Sequence, residues 1–249
     1  MKVKTILVSQ PEPKIENSPY FDLQEKQKVK IDFRPFIHVE GVDTKEIRLQ
    51  KVDLKNYSAI ILTSRNAVDH YFRVADEMRF KVPDSMKYFC QSEAVAFYLQ
   101  KYVVYRKRKI YVGKRNFAEL SPLIKKYKDE NFLLPTTDKL KPEVPKILNE
   151  LGVNWKEAVF YKTVISDLSD LADVLYDILV FFSPSGIDSL FHNFPEFKQN
   201  ETRIAVFGNT TIKAAEDQGL RVDIAAPTPE TPSMTMALEK YINEVNKKK

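Results

Sequence analysis

Short apolar runs alternate along this chain with stretches in which apolar residues recur every three or four positions. The runs at residues 5–9, 59–63, 87–90, 131–135, 158–164, 178–183, 203–208 and 221–225 predict strands. Between them lie helical patterns. Ala67, Val68, Tyr71, Phe72 and Ala75 mark one stripe, and Met234, Leu238, Tyr241, Ile242 and Val245 mark another. For the second, Thr231 is the expected cap and Pro232 the expected first helical residue. Gly219, following residues 210–218, is the expected stop of a further helix. Strands and helices alternating at this rhythm predict an α/β fold with parallel sheets covered by helices.

The chain also resembles itself. ILTSRNAVDHYF (61–72) aligns with VFFSPSGIDSLF (180–191), so that Ser64 matches Ser183, Asp69 matches Asp188 and Phe72 matches Phe191. In the same order, FCQSEAVAFYLQ (89–100) lies opposite FGNTTIKAAEDQ (207–218), and FRPFIHVE (33–40) opposite VFYKTVIS (159–166). Three pairs in one order point to two similar α/β lobes, although any two strand–turn–helix units share part of this likeness.

Open α/β sheets bind ligands beyond the carboxyl ends of their strands, where helix N-termini present unsatisfied N–H groups. Three turns of that kind stand out: Thr63-Ser64-Arg65-Asn66, Ser183-Pro184-Ser185-Gly186 and Gly208-Asn209-Thr210-Thr211. Taken singly, serine or threonine at a helix start is a cap. Taken together across two lobes, such turns suit a ligand with several carboxylates.

Composition narrows the chemistry. The 249 residues make one large domain or two small ones. Only 6 are glycine, against a usual share of ~7%. Neither G-x-G-x-x-G nor G-x-x-x-x-G-K occurs, which excludes those two nucleotide loops. One cysteine, Cys90, fits a reducing compartment and packs as a small hydrophobe. The histidines His38, His70 and His192 lie far apart and read as solvated or core residues, so no metal site is expected. The apolar run at the N-terminus is too short for a signal peptide, and nothing approaches the ~18 apolar residues of a membrane span. The expectation is a cytoplasmic protein that binds neither membrane nor nucleic acid. The net charge of +5 favours an anionic ligand, and the run Tyr105-Arg106-Lys107-Arg108-Lys109 reads as a solvated loop. No G-x-S-x-G is present. Asp69 and Asp188 fall one turn into their helices, where they favour the dipole. Tyr161, expected on the same strand face as Val159 and Thr163, is either core or a phenol offered to a cleft as a weak acid.

At these turns the chain resembles the uroporphyrinogen-III synthase family. The segments that carry the likeness are ILTSRNAVDHYF, LLPTTDKLKPEVPKIL (133–148), VFYKTV (159–164), FFSPSGIDSL (181–190) and IAVFGNTTIKAAEDQGLRVDIAAPTPETPSMTMALEKYI (204–242). The resemblance implies two flavodoxin/Rossmann-like lobes joined by a two-stranded connector, with strands at 35–40 and 160–166. Lobe 1 would hold residues 1–36 and 166–249, and lobe 2 residues 37–165. It also implies a cofactor-independent cyclisation. Hydroxymethylbilane, a linear tetrapyrrole with eight carboxylates, loses water and closes with its last ring inverted. Held open in a cleft, it would be gripped as the lobes close.

By the same resemblance Tyr161 matches the active-site tyrosine, a candidate acid for the departing hydroxyl. Thr63, Ser64, Ser183, Ser185, Gly186, Asn209, Thr210 and Thr211 match the cleft-lining turns, and Lys141 a basic contact. The turn Cys90-Gln91-Ser92-Glu93-Ala94 departs from the family's pattern, since Glu93 stands where a hydroxyl is usual; Ser92 is its substitute. The first helix looks short and proline-rich (Pro11, Pro13, Pro19). The expected protein is a monomer that takes its substrate from the preceding pathway enzyme. A non-catalytic two-lobed receptor for an anionic small molecule would use the same turns. A regulatory protein built of response-regulator-like units is disfavoured, because no lone acceptor aspartate ends a strand.

Overall fold

The computed structural model describes residues 2–114, 116–140 and 142–247. It divides into two compact units, Met1–His38 with Val164–Lys249, and Val39–Thr163.

Unit 1 is built on β1 (Thr5–Val8), β2 (Lys30–Phe33), β9 (Ile178–Phe181), β10 (Arg203–Phe207) and β11 (Val222–Ala226), in the spatial order β11-β10-β9-β1-β2. The pairs are parallel. Numbered within the unit, this is the flavodoxin order 2-1-3-4-5, whose direction reverses between β1 and β9. Helices α1 (Pro19–Gln27) and α9 (Met234–Lys247) cover one face, and α7 (Pro184–Asn193) and α8 (Asn209–Asp217) the other. Along β9, Ile178 and Val180 enter one core while Leu179 and Phe181 enter the opposite one. Burial on both faces explains the unbroken apolar runs.

Unit 2 carries β4 (Ala59–Leu62), β5 (Lys87–Cys90), β6 (Ile110–Val112) and β7 (Asn131–Thr137). It also holds most of β3 (Ile37–Gly41) and β8 (Asn154–Ile165), in the order β3-β8-β7-β4-β5-β6. From β4 onward this is the Rossmann order 3-2-1-4-5, with reversal between β4 and β7. Helices α2 (Thr44–Leu49), α3 (Arg65–Glu77) and α4 (Glu93–Leu99) lie on one face, and α5 (Ser121–Lys126) and α6 (Glu143–Glu150) on the other. The chain leaves unit 1 within β3 and returns to it within β8.

Local sequence sets the helix ends, with one departure from expectation. Ser233, not Thr231, caps α9: its Oγ accepts from Met236 N–H at 3.3 Å, and its carbonyl from Ala237 N–H. Thr231 is held instead by Thr228, with the hydroxyls 2.7 Å apart, so Pro232 precedes the helix. Pro19 begins α1 behind the cap Ser18, which makes that proline a start signal. Gly219 (φ 75°) closes α8 in a Schellman arrangement, with Leu220 N–H on Ala215 O and Gly219 N–H on Glu216 O.

Tyr71 on α3 is fully buried, and its Oη has no hydrogen-bond partner. Burying an unpaired hydroxyl costs about 1–3 kcal/mol. Tyr71→Phe therefore leaves the thermal midpoint unchanged or raises it. A fall of several degrees in calorimetry would show that the hydroxyl is satisfied.

Candidate active site

In unit 2 the site grows from the end of β4. Ser64, extended at φ −155° and ψ 169°, caps α3 by accepting from Ala67 N–H at 3.1 Å. The same Oγ lies 3.2 Å from Tyr161 Oη. Tyr161 reaches it through a bulge in β8. Thr136 pairs with Val159 but Thr137 with Tyr161, so Phe160 is extra. Tyr161 joins the core of Ala158 and Phe160, against which Val159 also packs. Gln50 takes the Val159 backbone next to the bulge, donating to its carbonyl at 2.9 Å and accepting its N–H at 2.8 Å.

Tyr161 is 6% exposed. Burial raises its phenol pKa, and the Ser64 hydrogen bond opposes that only in part. It is a protonated donor at neutral pH. His70 stacks on it, with ring centres 5.1 Å apart and planes at 17°. Arg73 Nε donates to His70 Nδ1 at 3.1 Å, Nη2 to Val42 O and Phe160 O at 3.0 and 2.9 Å, and Nη1 to Glu77. Burial first, and Arg73 second, hold the His70 pKa below its ordinary value, so the imidazole is neutral.

The turn after β5 differs. Ser92 occupies the cap position of α4 without a side-chain cap bond, and Glu93 beside it is exposed. Cys90, ending β5, is buried, and burial pushes its thiol up to about 12; it is an inert core residue.

In unit 1, Ser183 caps α7 by accepting from Gly186 N–H at 3.2 Å, behind Pro184 at the first helical position. Ser185 is half-buried and Gly186 buried. Ser9 directly follows β1, across the point where the strand order reverses, and donates its N–H to Val180 O at 3.0 Å. A Cβ on Gly186 would lie 3.7 Å from Ser183 Oγ and 3.8 Å from Ser9 Oγ. At the end of β10, Gly208 holds φ 89° and ψ 143°, and α8 starts there without a side-chain cap. Asn209 and Thr210 are exposed, whereas Thr211 is 1% exposed. The Thr211 side chain, expected to line a cleft, is thus an interior group.

Lys141 lies outside the described residues. Among the described residues no three His, Cys, Asp or Glu side chains gather as metal ligands, and no helix is long and apolar enough to cross a membrane. The sequence pattern missed three contributors. Ser9 needs the strand order to place it at the switch point. His70 and Arg73 need the fold that brings α3 against β8 beside Tyr161.

Comparison with known proteins decides the family. The model of uroporphyrinogen-III synthase HemD matches residues 20–236. The chain belongs to the uroporphyrinogen-III synthase family. That family works in tetrapyrrole biosynthesis. The uroporphyrinogen-III synthase of Chlorobaculum parvum is 25% identical over 252 residues, covering 95% of this chain and 98% of the relative. Among solved structures, uroporphyrinogen-III synthetase from Helicobacter pylori superposes with a TM-score of 0.62 at 21% identity, over 97% of this chain and 100% of that one. A mutant uroporphyrinogen III synthase from Thermus thermophilus gives 0.57 at 14% identity, over 99% and 100%. Both share the two-sheet α/β fold.

Two glycines of the turns differ in what they demand. Gly208→Ala forces a side chain onto a left-handed backbone and is expected to cost about 1–3 kcal/mol. Gly186→Ala meets neighbours only at ordinary contact distance and is expected to cost less. Urea denaturation of both variants checks this, and an equal cost would remove the conformational argument at Gly208.

Proposed function

We propose that this chain converts hydroxymethylbilane to uroporphyrinogen III. The terminal C–O bond breaks, and the hydroxyl leaves as water with a proton from Tyr161. The already substituted α-carbon of the last pyrrole attacks the freed methylene carbon to give a spiro intermediate. Its older bond to the methylene bridge breaks, and that bridge carbon bonds the ring's other α-carbon, which gives up a proton as the macrocycle closes with the pyrrole inverted. One water is lost overall and no electrons are exchanged.

The observation that carries this reading is the Tyr161–Ser64 pair. A phenol kept protonated by burial is paired with a hydroxyl at the carboxyl end of a central strand, in a chain of this family. Ser64 supplies a hydrogen-bonding partner that fixes the direction of the phenol.

In each unit, the strand-end turns receive carboxylates. Thr63, Ser64, Ser183 and Ser185 offer hydroxyls, and Gly186, whose N–H is held by Ser183, packs behind them. Ser92, Asn209 and Thr210 open helices that have no side-chain cap, so their first amides remain for an anion. Thr211 contributes by packing the start of α8, and Lys141 adds a positive charge. The same reading makes the protein a cytoplasmic monomer supplied by the enzyme that makes the linear tetrapyrrole.

The test is direct. Enzymatically made hydroxymethylbilane is supplied, the products are oxidised, and isomers I and III are separated chromatographically. Wild type is expected to give isomer III, and Tyr161→Phe to give it with kcat lowered about 10²-fold or more and KM changed far less. Isomer I alone from the wild type would overturn the reading. Unchanged turnover in Tyr161→Phe would remove the acid role.

A further inference from the structure

We propose that His70 is a positioning residue for Tyr161, an imidazole clamped by Arg73 that fixes the phenol ring so that its hydroxyl meets Ser64. The inference rests on the acid role of Tyr161.

Tyr161 sits just past a bulge, where the register of the strand ladder shifts. Its Oη meets Ser64 Oγ at 3.2 Å, but a single hydroxyl contact leaves the ring free to swing about its long axis. The face of the ring is set by His70, nearly parallel at 17°. A platform is useful only if it is itself fixed. Arg73, one turn along α3, donates Nε–H to His70 Nδ1 at 3.1 Å. That bond makes Nδ1 the acceptor and assigns the ring proton to Nε2.

The same guanidinium holds the backbone under the phenol. Its Nη2 donates to Phe160 O at 2.9 Å, the carbonyl of the bulged residue immediately before Tyr161, and to Val42 O at 3.0 Å on the neighbouring segment. Val42 N–H donates to that same Phe160 carbonyl at 2.9 Å. Glu77 takes the remaining arm at 2.8 Å. One cation therefore ties together the two supports of Tyr161, the peptide behind it and the ring that stacks on it. Gly41 leaves the necessary space, since a Cβ there would fall 2.7 Å from Arg73 Cζ. Plain core packing requires none of this: a stack alone needs no clamped nitrogen, and a bulge alone needs no arginine.

Misplacing a reacting group by about 1 Å can cost 10²-fold in rate. The experiment is a double-mutant cycle read by kcat and KM in the isomer assay, with Tm measured for every variant. In the wild-type background, His70→Ala is expected to lower kcat about 10- to 100-fold, with KM within about twofold. His70→Phe, which keeps an aromatic face, is expected to recover most of that loss. In the Tyr161→Phe background, His70→Ala is expected to cause no further loss, because there is no hydroxyl left to place. If His70→Ala does not fold, His70→Leu takes its place in the cycle.

Equal losses from His70→Ala in both backgrounds, or no recovery with His70→Phe at unchanged Tm, overturn the inference and leave the acid role intact. Wild-type turnover by Tyr161→Phe overturns the acid role, and the inference falls with it.

Discussion

A parallel sheet gathers all its carboxyl strand ends on one edge, and the helices that follow begin there with N–H groups that no turn of helix can satisfy. Each unit of this protein obeys that constraint and answers it in two ways. Ser64 and Ser183 fill the N–H groups of Ala67 and Gly186 with their own oxygens. At Ser92 and Gly208 the helices open without a side-chain cap. Donors of the second kind suit a polycarboxylate without any cluster of lysines, in keeping with a net charge of +5.

Burial governs the proposed acid. Tyr161 is withdrawn into the core of unit 2, and loss of water raises its pKa instead of lowering it. An acid of that kind protonates a leaving group only when it is placed accurately, since its driving force is small. The bulge at Phe160, the clamp of Arg73 and the stack of His70 all bear on placement. The ring stacked on the phenol brings no charge of its own, because the imidazole is neutral.

Much of this was legible in the sequence. Strands such as Ile178–Phe181 are buried on both faces, so they read as solid apolar runs. The turns at Ser64 and Ser183 were visible because capping chemistry needs a small oxygen at one fixed position. What escaped was set by edges and by irregularity. Lys30–Phe33 and Ile110–Val112 are short edge strands: half of the first is polar, and the second is only three residues long. The bulge at Phe160 adds one residue to the ladder, and period-2 alternation carries no sign of it. Thr211 has the composition of a ligand contact and the position of a packing residue, and only the backbone at Gly208 separates the two.

The central claim is that the strand-end turns of both units receive the carboxylates of a tetrapyrrole. Amide-resolved NMR titration with uroporphyrin III, the stable oxidised macrocycle, tests it most directly. The account predicts the largest shifts at the backbone N–H groups of residues 63–66, 92–94, 183–186 and 208–210, weakening as salt is raised. Shifts concentrated at the amino ends of the strands, or confined to the basic loop at 105–109, would contradict it.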